Sequence, residues 1–155
     1  MIRALALLPL LATPALSQEA CTSWTAGMMD DEGGQVFTAE ACAIDRPDAY
    51  LVLNCFGGEI FMRYDLAMGA ERSPDQSEER DVVFRFADGE ERLHMLYQDM
   101  DGMFAGDLAA DAPLIDRLRS GAEVRITDAD GVYPIHTIGL DGSSAALYQL
   151  LAQCD

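Results

Sequence analysis

The stretch Tyr50-Leu51-Val52-Leu53-Asn54-Cys55-Phe56-Gly57-Gly58-Glu59-Ile60-Phe61-Met62-Arg63-Tyr64-Asp65-Leu66 decides how this chain folds. Its first six residues are almost wholly apolar and β-prone, the mark of a central strand. Gly57-Gly58 interrupts the run as a tight turn. From Glu59 to Leu66 the pattern alternates, with Ile60, Met62 and Tyr64 on one side and Phe61, Arg63 and Asp65 on the other. Two strands around a two-glycine turn make an antiparallel hairpin.

The same reading extends in both directions. Asp30-Asp31-Glu32-Gly33-Gly34 reads as a turn, and a strand begins over Gln35 to Thr38. Residues 69–81 are polar and contain Pro74, so they form an exposed loop. Val82 to Phe86 and Arg92 to Gln98 flank Ala87-Asp88-Gly89-Glu90 as a hairpin, with Leu93, Met95 and Tyr97 facing the core. Asp99-Met100-Asp101-Gly102 turns into Met103 to Ala105. Val124 to Thr127 and Val132 to Leu140 surround Asp128-Ala129-Asp130-Gly131, and Pro134 implies an edge or a bulge.

Two helices complete the pattern. One is N-capped by Asp111, carries Pro113 early and stops at Gly121. The other runs from about Ser144 to Cys154, capped by Ser143, with Leu147, Leu150, Leu151 and Cys154 in one stripe. The expected fold is mainly β (α+β). It has seven to nine antiparallel strands in a sandwich or partly open barrel, two short helices and disulfide staples.

The 155 residues suit one domain behind a leader. Residues 1–17 hold Arg3, an apolar run from Ala4 to Ala12, and Ala15-Leu16-Ser17 as a small-residue end. That is a secretory signal peptide, and its apolar run is too short to span a bilayer. Cleavage leaves residues 18–155 as a single secreted β-rich domain, with no integral membrane insertion. The expected address is the periplasm, with an extracellular one as the variant.

Cys21, Cys42, Cys55 and Cys154 fall in the mature part, an even count that implies two disulfides in an exported chain. No Cys-x-x-Cys occurs, which disfavours a redox or zinc site. The expected pairs are Cys42–Cys55, across the turn Asp45-Arg46-Pro47-Asp48, and Cys21–Cys154, tying the ends together.

The charge is −17, from 10 Arg, no Lys and 27 acids. Loss of Arg3 with the leader leaves 9 Arg against 27 acids, −18. A body this acidic repels nucleic acid and anionic membrane surfaces and steers cationic partners toward itself.

Candidate chemistry is sparse. Gly142-Ser143-Ser144-Ala145-Ala146 has the form of a nucleophile elbow between a strand and a helix. No His follows it, so it reads as a helix start. Asp99-Met100-Asp101-Gly102 and Asp128-Ala129-Asp130-Gly131 resemble half of a calcium loop, but no Glu stands at its twelfth position. Met28-Met29, His94-Met95 and Met100-x-x-Met103 invite copper. Met62 and Met95 fall on core faces, however, and His94 faces solvent or the second side of the sheet. No metal or cofactor is therefore expected. With 27 acids, no carboxylate pair stands out as a general acid and base.

Several landmarks together resemble a known group. They are the leader, Cys21-x-x-Trp24, Leu51-Val52-Leu53-Asn54-Cys55, the acidic middle hairpins, and Gly139-Leu140-Asp141-Gly142-Ser143-Ser144-Ala145-Ala146-Leu147 closing on Cys154. The chain is similar to small exported proteins of Gram-negative bacteria, especially alphaproteobacterial ones related to the invasion-associated locus B group. Periplasmic accessory proteins of type VI secretion share the strand, glycine-serine turn, helix and Cys ending. The resemblance implies a disulfide-bonded, mostly β periplasmic domain without assigned catalytic residues.

The expected role is a non-enzymatic envelope module that binds a macromolecule, a cationic protein or an envelope component. Trp24, Tyr50, Tyr64 and Tyr133 are candidates for an exposed aromatic patch. One alternative is an acidic inhibitor of a cationic hydrolase such as lysozyme, using Asp99, Asp101 and Asp107 or the loop from Glu71 to Asp81. Another is a small-ligand carrier with its cavity inside the β-structure. The sequence leaves the oligomeric state open.

Overall fold

The computed structural model describes residue 21 and residues 23–31, 33–56 and 58–154. The expected leader and cleavage point lie outside the described residues.

Nine strands form one sheet: β1 Thr25–Asp31, β2 Gly34–Cys42, β3 Tyr50–Phe56, β4 Glu59–Tyr64, β5 Glu79–Phe86, β6 Gly89–Gln98, β7 Met103–Ala109, β8 Glu123–Asp128 and β9 His136–Gly139. Helix α1 spans Pro113–Ser120 and α2 spans Ser143–Leu151. The order across the sheet is β1-β2-β3-β4-β7-β6-β5-β8-β9, and every pairing is antiparallel. The sheet curls until β9 meets the chain just past β2. Ala43 bridges Ile138, and Ile44 N–H donates to Thr137 O at 2.8 Å. It does not close, because β1 continues beyond β2 as an outer strand. Of the two expected forms, a sandwich or a partly open barrel, the structure has the single unclosed sheet of the second.

The Tyr50 to Leu66 hairpin lies inside the sheet, as its third and fourth strands. Leu51 and Leu53 pair with Tyr64 and Met62, and with Ile60 all are fully buried. Both helices cover this inner face. Leu114, Ile115 and Leu118 of α1 and Ala146, Leu147 and Leu150 of α2 enter the same core as Phe84, Phe104 and Ile126. Each large apolar side chain so buried contributes about 1.5–3 kcal/mol. Gly106 lets β6 and β7 approach closely, since a Cβ there would lie 2.7 Å from His94 O.

Several boundaries differ from the sequence reading. β1 was unforeseen, because Thr25-Ala26-Gly27-Met28-Met29 shows no alternation; Asp30, Asp31 and Gly34, expected in the turn, are paired strand residues. β5 starts at Glu79, inside the expected loop. β9 is only His136–Gly139, so Pro134 lies before the strand. The chain there is held instead by Asp128, whose carboxylate accepts from Val132 N–H at 3.0 Å and Tyr133 N–H at 2.8 Å.

The helix starts also shift. The N-cap of α1 is Ala112, not Asp111, because Pro113 sits at the first turn and fixes its predecessor in an extended conformation (ψ 142°). α2 begins at Ser143 itself, after Gly142 at φ 82°. Ser143 Oγ lies 2.7 Å from both Leu118 O and Leu140 O, tying α2 to the end of α1.

All four cysteines are paired, but as Cys21–Cys42 and Cys55–Cys154. The expected Cys42–Cys55 and Cys21–Cys154 pairs are wrong for a reason of register. Cys42 stands opposite Tyr50, which puts Cys55 five residues, about 17 Å, along β3. Cys55 instead meets the chain end beyond α2, stapling that helix to β3.

Candidate functional site

The site most unlike a plain solvated surface lies on the outer face of the sheet, away from the helices. Along β4, Glu59, Phe61 and Arg63 point outward, opposite to Ile60, Met62 and Tyr64. Arg63 donates from Nη2 to Asn54 Oδ1 at 2.8 Å, and Asn54 Nδ2 donates to Thr38 Oγ1 at 2.6 Å. Arg63 also pairs with Asp31 at 3.4 Å and with Asp101 at 3.6 Å. Asp31 lies at the β1–β2 turn and Asp101 at the β6–β7 turn, so one guanidinium gathers two hairpin tips. Arg63 is mostly buried, and its carbon Cζ sits 5.9 Å from the centre of the Phe61 ring.

Beside this array is a cleft of about 320 Å³, lined by Asp31, Val36, Asn54, Glu59, Phe61 and Asp107 together with Cys55. Phe61 and Asp107 are register partners, and Glu59 is two residues from Phe61 on the same face. An apolar wall thus stands between two exposed carboxylates. The chemistry on offer is recognition of a cation, since carboxylates and the face of an aromatic ring both attract positive charge.

Two further polar clusters are inward-looking. Glu78 accepts from Arg72 and Arg80 at 2.7 Å, from Tyr133 Oη–H at 2.7 Å and from Asp75 N–H at 3.0 Å. Burial raises its pKa, but these donors outweigh that and hold its carboxyl at about 2. The same burial, with Glu78 alongside, pushes Tyr133 up to about 12. His136 Nδ1 lies 2.7 Å from Tyr64 Oη, and its Nε2 lies 3.0 Å from Met68 O. A carbonyl can only accept, so Nε2 carries the proton and Tyr64 donates to Nδ1. Burial lowers the His136 pKa and raises that of Tyr64.

The structure corrects the expected aromatic patch. Trp24 is buried and its indole N–H donates to Gly139 O at 2.9 Å. Tyr64 and Tyr133 are buried and spend their hydroxyls inside. Tyr50 alone of the four is exposed. The loop from Glu71 to Asp81 does not present a continuous acidic finger either, because Glu78 is neutralised within it. Asp101 and Asp107 both belong to the outer-face site, while Asp99 is exposed at the neighbouring turn. Arg63, Phe61, Asn54 and Glu59 were missed. Their signal was the polar half of the alternating β4, which sequence reading treats as mere surface.

The other motifs have structural places. Ser143 is buried under α1, and His136 is held by Tyr64, so no nucleophile and base meet there. His94 is exposed beside Asp81 at 3.0 Å. Met62 and Met95 are fully buried, whereas Met28 and Met100 are exposed. Among the described residues, no group of three or more His, Cys, Asp or Glu is placed to hold a metal ion. Nor is any helix among them long and apolar enough to cross a membrane.

No protein-family model and no curated protein matches this chain. Among solved structures, it is similar to the crystal structure of invasion associated protein B from Bartonella henselae. That likeness has a TM-score of 0.56 at 16% identity and covers 87% of this chain and 96% of that one. At such identity it shows a shared fold alone and leaves the site residues to be argued from this chain.

Proposed function

We propose that this is an exported, non-enzymatic binding module of the cell envelope that takes a cationic region of another protein on the outer face of its sheet. The observation that carries the reading is the cleft in which Phe61 lies between the carboxylates of Glu59 and Asp107. The net charge of −17 would bring cationic partners to it.

Export to the periplasm is supported by the leader sequence and by two disulfides, which persist in oxidising compartments. The fold likeness supports descent shared with the invasion-associated locus B group. A role in invasion is not carried over. The hydrolase-inhibitor reading loses the Glu71 to Asp81 loop to the Glu78 cluster. Its Asp99 to Asp107 side coincides with the same face, so it becomes one case of a cationic partner. The ligand-carrier reading has less support, because the inner face of the sheet is filled by helix side chains.

The test is calorimetric titration of the mature oxidised protein with a basic peptide, arginine-threonine repeated four times. Binding at low salt that weakens as salt rises supports the reading. Absence of binding at both salts overturns it.

A further inference from the structure

We infer that the cleft holds one arginine or lysine side chain from an extended segment of the partner protein, its charge between Glu59 and Asp107 and its stem against Phe61 and Val36. This rests on the cationic-partner reading and narrows it to one place.

The arginine nearest the cleft, Arg63, is committed to Asn54, Asp31 and Asp101 and covers one side of the Phe61 ring. Seven others form their ion pairs elsewhere: Arg46 with Asp48, Arg72 and Arg80 with Glu78, Arg85 and Arg92 with Glu90, Arg117 with Asp88 and Glu91, and Arg119 with Asp116; Arg125 lies on β8 opposite Arg85, four strands away from β4. No ion pair among the described residues reaches Glu59 or Asp107. Among the described residues, two carboxylates therefore flank an aromatic ring with no cation ion-paired to either.

Register places Phe61 and Asp107 about 5 Å apart across the strands, with Glu59 about 7 Å from Phe61 along β4. A charge seated between them meets both carboxylates and the ring, while Val36 and Phe61 give apolar surface to a methylene stem. At about 320 Å³ the cleft is at the small end of ligand sites, sized for a side chain rather than a helix. A second copy of this chain, itself at −17, is a poor occupant on charge grounds.

The test compares the arginine-threonine peptide on four proteins by calorimetry: the natural chain, Glu59→Gln with Asp107→Asn, Phe61→Ala, and a control, Asp116→Asn with Glu123→Gln. The control removes the same charge on α1 and β8. The cleft pair should weaken binding about tenfold and Phe61→Ala about threefold, with the control below threefold. Circular dichroism checks folding, and Phe61→Leu replaces Phe61→Ala if the latter unfolds. Equal losses in the cleft pair and the control would overturn the inference while leaving the cationic-partner reading intact. No binding to the natural chain would remove both.

Discussion

Asp31 and Arg63 lie within 3.4 Å of each other although β2 and β3 separate their strands. In a flat sheet three strand steps alone would put them about 14 Å apart, before any offset along the strands. The contact therefore requires the β1–β2 hairpin to fold over the outer face, and the Asp101 contact draws the β6–β7 turn in from another side. Arg63 thus joins the two hairpin tips across the outer face, beside the cleft.

If so, Arg63→Met should loosen the hairpin more than it disturbs the core. We expect a loss of about 1–3 kcal/mol in urea unfolding, because Asn54, Asp31 and Asp101 lose a shared donor. Amide exchange should quicken over residues 28–36 and 99–102 while residues 51–53 and 60–64 stay protected. Unchanged exchange at the two turns would show that the hairpins need no such anchor.

Glu78 gives an acid-side prediction. Its pKa of about 2 in the fold lies below its ordinary 4.5. A depressed carboxylate contributes stability that is complete above pH 4.5 and lost as pH falls through that value toward 2. Glu78→Gln should destabilise the protein at pH 7 by about 1–3 kcal/mol and flatten its melting temperature below pH 4.5. Melting curves across pH 2–7 check both.

His136 acts in the same direction in a higher window. Burial lowers its pKa from 6.5, so the neutral form is favoured in the fold. Its contribution is complete above pH 6.5 and declines as pH falls below it. Tyr64→Phe, which removes the donor to Nδ1, should cost about 1 kcal/mol at pH 7.5. It should also alter the melting profile between pH 5 and 7, read against the natural chain.

Peptide mapping without reduction should recover Cys21 with Cys42 and Cys55 with Cys154. The second closes a span of 99 residues, and its removal as Cys55→Ala with Cys154→Ala should cost about 4–5 kcal/mol in the chain-entropy description. Removal of the first, across 21 residues, should cost about 3 kcal/mol.

Much of the fold was readable because alternation and turn chemistry are local. Ile60, Met62 and Tyr64 announced an inner face, and Asp-Gly turns announced the hairpins. β1 was not readable, since Gly27 and paired methionines carry no period; its pairing with β2 defines it. The cysteine pairing failed because it depends on a five-residue offset between β2 and β3 that no local pattern records. The candidate site was half legible. Asp101 and Asp107 were singled out for their charge. Arg63 and Phe61 were passed over because their importance comes from hairpin tips brought together by curvature. The aromatic patch failed because Trp24, Tyr64 and Tyr133 each found an internal partner for the polar end of the ring.

The most direct test of a cation-binding outer face is a titration of the isotope-labelled, oxidised protein with the arginine-threonine peptide, followed by amide chemical shifts. Shifts should concentrate at residues 31–38, 54, 59–63 and 105–109 and saturate together. Shifts spread evenly over the acidic surface, including α1 and the β5–β6 turn, would contradict it.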